Sequence, residues 1–229
     1  MEYPHNRPYT ADDLVRIITL LRDPVSGCPW DKVQTHTSIR MNFLEEAYEA
    51  VDALDLDDPV LMCEELGDVL MQVAFHTCME QETGRFTWEQ VCDGVCQKLI
   101  ERHPNIFGTQ PGYEGITDWD ALKNKEKGRR TLADDLESVP RAMPALMRAA
   151  KLQKRAARHG AALQGADAAA LADAAENLQT AQPASAQAEQ AVGELLFAAA
   201  NLARQAGVDP EQALQKANEA FCTAAGPVA

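Results

Sequence analysis

The sequence lacks long apolar runs, and it has few basic residues for its length. No stretch of about 18 consecutive apolar residues occurs, so the sequence predicts no membrane-spanning helix. Lys and Arg number 21 against 35 Asp and Glu, which gives a formal net charge of −14. Proteins that bind duplex nucleic acid need the opposite balance of charge, at least locally. We therefore expect neither a membrane protein nor a nucleic-acid partner.

Patterns typical of several kinds of site are also absent. The six cysteines form no zinc-binding pattern, because Cys92 and Cys96 have no second pair at ligand spacing, and reduced thiols are expected. The sequence contains no glycine-rich phosphate loop, no Ser/His/Asp arrangement and no nucleophile elbow. The first residues, Met-Glu-Tyr-Pro-His, lack the charged and apolar regions of a signal peptide, so we expect a cytoplasmic protein.

The composition that is present favours helices. Ala, Leu, Gln and Glu dominate, and β-branched residues are sparse after the first third, which predicts an all-α fold. A faint internal repeat relates Leu66–Leu70 to Val192–Leu196, and two copies of one four-helix unit would explain it. The segment 160–191, rich in Ala and Gln, predicts loosely held helices or partly disordered loops. The predicted domains are 1–107 and 140–229, with a connector at 108–139.

Apolar periodicity and capping residues set the expected bounds of the helices. The predicted helices are 10–22, 39–54, 60–80, 87–101, 140–158, 192–204 and 210–221. The expected N-caps are Thr10 or Asp12 for the first helix and Thr37 or Ser38 for the second.

Three glutamates gather on one side of the predicted helix 39–54. With about 100° between successive residues, Glu45, Glu46 and Glu49 fall together. A solvated helix face is the ordinary explanation of such a pattern. The opposite, apolar side consists of Phe43, Leu44, Ala47, Val51 and Leu54.

The predicted helix 60–80 is apolar around almost its whole circumference, so it should be largely buried. Glu65 and Asp68 share a narrow stripe with Gln72, and Gly67 indicates the close approach of another element. A buried ionised carboxylate is costly unless it is paired or metal-bound. Together with the three glutamates, this pattern predicts a site for a hard divalent cation such as Mg²⁺. Neutralisation by a Lys or Arg from elsewhere is the alternative.

Three other residues are candidates for binding a phosphorylated substrate. Lys98 and Arg102, four residues apart, share a helix face, and they can bind phosphate oxygens as a point charge and a planar fork. The alternative is a positive helix C-terminus that interacts favourably with the helix dipole. Trp30, in a loop that contains Pro and Gly, either stacks on a base or fixes the loop.

Five short motifs follow one another in the first half of the chain: Gly27-Cys-Pro-Trp-Asp31, Gln34-Thr-His36, Leu44-Glu-Glu-Ala-Tyr-Glu49, Glu65-Leu-Gly-Asp68 and Arg102-His-Pro-Asn-Ile-Phe107. In this order they resemble the MazG family of nucleoside triphosphate pyrophosphohydrolases, closely over residues 10–107. The paired Glu-Glu-x-x-Glu and Glu-x-x-Asp pattern is the metal-binding signature of that family. A weaker likeness to its two-repeat members extends over the whole chain.

The resemblance implies an all-α fold and Mg²⁺-dependent cleavage between the α- and β-phosphates of a nucleoside triphosphate. Because the predicted ligands are all oxygens, Mn²⁺ is a second suitable metal. The resemblance also implies that one carboxylate, Glu46, orients or deprotonates the attacking water, and that Lys98 and Arg102 bind the phosphates. A homodimer is expected as well, because two long apolar helices per repeat expose more surface than one four-helix unit covers. The metal ligands implied by the resemblance are Glu45 or Glu46, Glu49, Glu65 and Asp68.

The second repeat departs from the family pattern. We therefore expect that it binds no catalytic metal and serves packing or dimerisation. In the rival interpretation the chain is a catalytically silent helical module that binds nucleotides or a protein partner. Where the family pattern has carboxylates or a basic residue, the second repeat has Ala175, Gln179, Ala191 and Ala220. Glu176 and Glu194 remain as isolated carboxylates.

Overall fold

The computed structural model describes residues 3–5, 7–104, 106–108 and 126–226, and this part of the chain contains helices and no strand, which confirms the all-α prediction. Two compact units, Met1–Ile116 and Thr117–Ala229, divide the chain. The helices are α1 (Ala11–Leu21), α2 (Arg40–Leu56), α3 (Pro59–Glu82), α4 (Trp88–Arg102), α5 (Leu132–Glu137), α6 (Ala145–Arg158), α7 (Ala168–Thr180), α8 (Ala186–Gln205) and α9 (Pro210–Ala225). Most of the predicted connector, 109–125, lies outside the described residues.

Side-chain caps fix where several helices begin. Thr10 caps α1: its hydroxyl accepts the N–H of Asp13 at 3.3 Å, and the Asp13 carboxylate accepts the N–H of Thr10 at 2.9 Å. Thr87 and Gln90 form the same reciprocal pair at the start of α4. Each pair satisfies two backbone donors that a helix start leaves free, so these starts can be predicted from the sequence.

The start of α2 differs from the prediction. The N-cap is Ile39, which has no capping side chain, rather than Thr37 or Ser38. The Ser38 hydroxyl instead accepts the backbone N–H of Thr35 at 2.9 Å, within the turn that precedes the helix. The hydroxyl is thereby engaged in a local turn, a common competitor of helix capping for Ser and Thr.

The core of the first unit lies between α1, the C-terminal half of α3 and the start of α4. Burying these apolar side chains stabilises the unit by about 25 cal/mol for each Å² removed from water. The buried members of this core are Ile18, Ile39, Ala74, Phe75, Cys78, Met79 and Trp88.

The N-terminal half of α3 is more exposed than predicted. Leu66 is 51% exposed, and no atom of another element lies within 4 Å of a Cβ built on Gly67, so the expected close approach does not occur among the described residues. Several apolar side chains of the neighbouring helices also face solvent. We call the following set the exposed apolar residues of α2–α4: Val51, Leu54, Val60, Leu66, Leu70, Val95 and Leu99.

The second unit is more regular than its composition predicted. Helix α7 occupies 168–180 and packs along α8, which begins at Ala186, so the expectation of loose segments between 160 and 191 is wrong. Alanine has the highest helix propensity, and its small side chain lets two helices approach closely. The buried alanines of these two helices are Ala174, Ala191, Ala198 and Ala200.

The start of α6 also differs from the prediction. The helix begins at Ala145 rather than at Pro140, with Pro144 as its N-cap in an extended conformation (ψ 139°). The proline ring of Pro144 clashes with a helical conformation at the residue before it, Met143. A helix that began at Pro140 would therefore be interrupted at Met143.

Buried polar contacts connect the helices of the second unit. The carboxylate of Asp135 on α5 pairs with Arg155 on α6 at 3.0 Å. The side-chain N–H of Gln153 donates to the carbonyl of Phe197 at 2.7 Å, which ties α6 to α8. Such buried pairs specify one arrangement of the helices, because an unpartnered buried polar group is costly. Within the described residues, no helix is both long and apolar enough to cross a membrane.

Candidate metal centre and active site

A two-residue corner places α2 beside α3. Asp57 ends α2 in the left-handed conformation (φ 54°), and the Asp58 carboxylate accepts the backbone N–H groups of Val60 and Leu61 at 2.9 and 3.2 Å. Pro59, the first residue of α3, needs no hydrogen-bond acceptor there. The short connection makes the two helices antiparallel neighbours, and they pack closely together.

Three carboxylates converge where these helices face each other. One carboxylate oxygen each from Glu46, Glu49 and Glu65 lies within 4.8 Å of the other two. Oxygens bound to one Mg²⁺ at about 2.1 Å lie at most about 4.2 Å apart, so small side-chain adjustments bring this donor set into coordinating range. The donors are all oxygens, which suits Mg²⁺ or Mn²⁺ better than a soft metal ion.

The environment of Glu46 disfavours its charged form. Burial raises the pKa of Glu46, the hydrogen bond from Gln72 lowers it, and the carboxylates of Asp68 and Glu49 raise it again. The Gln72 side-chain N–H donates to a Glu46 oxygen at 3.3 Å. A cation bound between these carboxylates would offset their mutual repulsion and lower their pKa values, because a nearby opposite charge favours the ionised form.

The remaining predicted ligands occupy different positions. Burial raises the pKa of Glu65, and Glu64, Asp68 and Glu46 raise it further, so Asp68 belongs electrostatically to the same cluster. Glu45 is exposed and is not one of the three carboxylates whose oxygens converge. Its role as a ligand stays a prediction.

The two predicted phosphate-binding cations lie toward the C-terminal end of α4, which packs against α3. Lys98 is exposed, whereas Arg102, one turn further along, is partly buried. Both side chains come from the helix next to the one that carries Glu65 and Asp68. Their assignment to phosphate binding remains a prediction.

A buried arginine holds the loop that carries Trp30. Arg22 donates to the carbonyls of Asp31 and Gln34 at 2.8 and 3.2 Å and pairs with Glu82 of α3 at 2.6 Å. The indole of Trp30 is 57% exposed, so it is free to stack on a flat ligand. The loop is thus anchored from beneath while its aromatic ring faces solvent.

Sequence reasoning missed the roles of Gln72 and Arg22. The sequence places Gln72 in the polar stripe of α3, but its hydrogen bond to Glu46 depends on how α2 and α3 pack. Arg22 follows the last turn of α1, where a cation is ordinarily explained by the helix dipole. The signal available in the sequence was its position one residue before the Asp-Pro loop.

The second unit contains no comparable centre among its described residues. The only group of three or more metal-ligating side chains found in the described part of the chain is that of the first unit. Glu194 on α8 accepts a hydrogen bond from Gln190 at 2.8 Å and belongs to no such group.

An all-α fold with convergent carboxylates on a helical hairpin defines a protein suited to hold a hard divalent cation against a phosphorylated ligand. Residues 34–107 match the model of the MazG nucleotide pyrophosphohydrolase domain. A nucleoside triphosphate pyrophosphohydrolase of Escherichia coli (strain K12) is 41% identical over 219 residues, covering 92% of this chain and 83% of that protein. The nucleoside triphosphate pyrophosphohydrolase/pyrophosphatase MazG of Thermotoga maritima is 39% identical over 212 residues, with 92% and 82% covered. The chain belongs to the MazG family.

Proposed function

We propose that this protein hydrolyses nucleoside triphosphates to a nucleoside monophosphate and pyrophosphate, using Mg²⁺ or Mn²⁺ bound in the first unit. The observation that carries the proposal is the convergence of Glu46, Glu49 and Glu65 within 4.8 Å. These residues lie inside the segment 34–107 that matches the family domain. The names of the two relatives described above support the same reaction.

Each side chain has a role that follows from its position. Glu46, Glu49, Glu65 and Asp68 would hold the metal ion, which neutralises developing charge and lowers the pKa of bound water. Glu46, whose pKa is already raised, is suited to orient the attacking water or accept its proton. Glu45 is a further candidate ligand from the same helix.

The remaining candidate residues would bind the substrate. Lys98 and Arg102 would contact phosphate oxygens, and Trp30 would stack on the base. Hydrolysis adds one water across the bond between the α- and β-phosphates. No protein nucleophile is needed for this reaction, because water is the nucleophile. The cation would neutralise the charge that develops on the phosphates, and a carboxylate would orient or deprotonate the water.

The test is a product assay on a panel of nucleoside triphosphates with and without Mg²⁺. We expect monophosphate and pyrophosphate in a one-to-one ratio with the metal and no turnover in EDTA. Phosphorus NMR distinguishes this from stepwise release of orthophosphate, which would contradict the proposal.

A catalytically silent binding module is the second candidate function. The second unit favours it, since its described residues offer no cluster of three metal ligands. Calorimetry separates the two functions, because a silent module would bind nucleotide with Mg²⁺ present and release no product. The cytoplasmic location expected from the sequence stays a prediction.

We also propose a homodimer in solution. The support is the set of exposed apolar residues of α2–α4, which an isolated first unit leaves in water. Contiguous exposed apolar surface in a folded protein commonly marks a site of association.

A further inference from the structure

A cavity of about 700 Å³ lies in the second unit, between α6, the end of α8 and the start of α9. It shares no residue with the carboxylate cluster, because every residue that lines it belongs to the second unit. Apolar side chains line part of it, including Met143, Met147 and Val208. Four basic side chains line the remainder: Lys151, Lys154, Arg155 and Arg204.

The charge of this cavity is opposite to that of the whole chain. The chain carries a formal net charge of −14, yet Asp209 is the one acidic residue among the described residues that line the cavity. The Asp209 carboxylate caps α9, since one of its oxygens accepts the N–H groups of Glu211 and Gln212 at 3.0 Å. Because this carboxylate already accepts N–H groups at the N-terminus of α9, the positive charge of the cavity comes from its basic side chains.

The two lysines of the cavity form no ion pair among the described residues. Lys151 and Lys154 are three residues apart on α6. Like charges at this spacing repel each other. The carboxylate of Glu211 accepts the backbone N–H of Met147 at 3.3 Å, which places a second negative charge beside the cavity.

The two arginines are held in place by protein contacts. Arg155 is 7% exposed and pairs with Asp135 at 3.0 Å, while its Nε is buried without a hydrogen-bond partner among the described residues. Arg204 donates from Nε to Asn201 at 2.9 Å, and Asn201 in turn donates to the carbonyl of Ala166 at 2.6 Å. A guanidinium fixed in this way loses little entropy when it binds an anion.

We propose that this cavity is an anion-binding site, distinct from the carboxylate centre, that takes the di- or triphosphate group of a small molecule without a metal ion. Lys151, Lys154 and Arg204, which form no ion pair among the described residues, supply the positive charge for such an anion. A guanidinium group binds phosphate oxygens through paired hydrogen bonds. The phosphate group comes either from an inorganic polyphosphate or from a nucleotide. In a nucleotide, the apolar side of the cavity would contact the base.

The experiment is isothermal titration calorimetry of the full chain with inorganic triphosphate in EDTA. EDTA removes the divalent cation that the carboxylate centre needs, so the result does not depend on the proposed hydrolysis. The test variant carries Lys151→Gln with Lys154→Gln, both on the cavity lining. The matched control carries Lys127→Gln with Lys216→Gln, which removes the same charge from exposed positions outside that lining.

We expect the test variant to bind triphosphate at least about 10-fold more weakly, which corresponds to ~1.4 kcal/mol, while the control changes little. Absence of binding by the unaltered chain, or an equal loss in both variants, would overturn the proposal. Binding that appears only with Mg²⁺ and disappears in Asp68→Asn would overturn it as well, because the anion would then belong to the carboxylate centre.

Two further ligands identify the source of the phosphate group. ATP in EDTA that binds as tightly as triphosphate indicates that the phosphate chain alone is recognised. ATP that binds more tightly indicates a nucleotide site in which the apolar residues contribute. Adenosine should not bind in either case, and adenosine binding as tight as that of ATP would refute recognition of phosphate.

Discussion

The surroundings of Glu46 in the folded protein favour its protonated form. Its pKa is raised by burial and by its like-charged neighbours, so between the ordinary value of 4.5 and the raised value the folded chain binds more protons than the unfolded chain. The free energy of unfolding of the metal-free protein therefore falls as the pH rises through that window. A bound cation opposes this loss, because it stabilises the ionised carboxylates.

Replacing Gln72 should shift the pH dependence of activity. The Gln72 hydrogen bond lowers the pKa of Glu46, so Gln72→Leu should raise that pKa further and move the acidic limb of kcat/KM to higher pH. The profile is measured at saturating Mg²⁺, with Gln179→Leu in the second unit as control. An unchanged acidic limb in Gln72→Leu would show that Glu46 does not titrate in the rate-determining form of the enzyme.

Removing one carboxylate should separate activity from stability. Glu49→Gln and Asp68→Asn should each lower metal-dependent turnover by about 100-fold or more, since even outer-shell partners of metal ligands are worth about 10–100-fold. The thermal stability of the metal-free variants should hold or rise, because repulsion in the cluster is relieved. A clear loss of metal-free stability in both variants would instead indicate a structural ion pair.

At the scale of helices, the corner between α2 and α3 positions the candidate ligands. Asp58→Ala removes the carboxylate that accepts two backbone N–H groups of α3, and it should lower the free energy of unfolding by about 1 kcal/mol. Urea denaturation measures the change. Asp55→Ala is the control: Asp55 lies in the last turn of α2 and caps no helix. Its negative charge is unfavourable near a helix C-terminus, so its removal should be neutral or slightly stabilising. An equal loss in both variants would rule out capping as the cause.

The helices that the sequence predicted well carry their own signals. α1 and α4 begin at Thr10 and Thr87, whose reciprocal hydrogen bonds involve residues three positions on. Apolar periodicity placed α3 and the acidic stripe of Glu65 and Asp68. These signals are local, since capping and periodicity depend on neighbours within one or two turns.

The features that the sequence did not predict depend on contacts between elements. Helix α5 is held by the pairing of Asp135 with Arg155, which the polar segment around it does not reveal. The hydrogen bond between Gln72 and Glu46 joins two helices. The burial of α3 was overestimated because periodicity identifies an apolar surface without identifying what covers it.

At the scale of the whole molecule, the exposed apolar residues of α2–α4 predict self-association. Light scattering at micromolar concentration should give the mass of a dimer. Leu54→Asp should shift the protein to a monomer and lower its thermal stability, because an interface contact is lost. If Leu54 stayed in contact with water, the same change would have almost no effect on thermal stability. A monomeric unaltered chain would refute the prediction.

The second unit should contribute no catalytic metal site. The double variant Glu176→Gln with Glu194→Gln should keep activity near that of the unaltered chain, because these carboxylates belong to no cluster of three metal ligands among the described residues. Steady-state kinetics with Mg²⁺ measures the effect. A loss comparable to that of Asp68→Asn would move the active site to the second unit.

The corner at Asp57 and Asp58 also has a consequence for how the protein folds. It brings together Glu46 and Glu65, which are 19 positions apart in the sequence. Contacts between residues of modest sequence separation form early, because closing a short loop loses little chain entropy. The carboxylates of Glu46 and Glu65 repel each other as that hairpin closes. A divalent cation bound between them removes the repulsion, so the rate at which this hairpin forms should depend on the concentration of free metal ion.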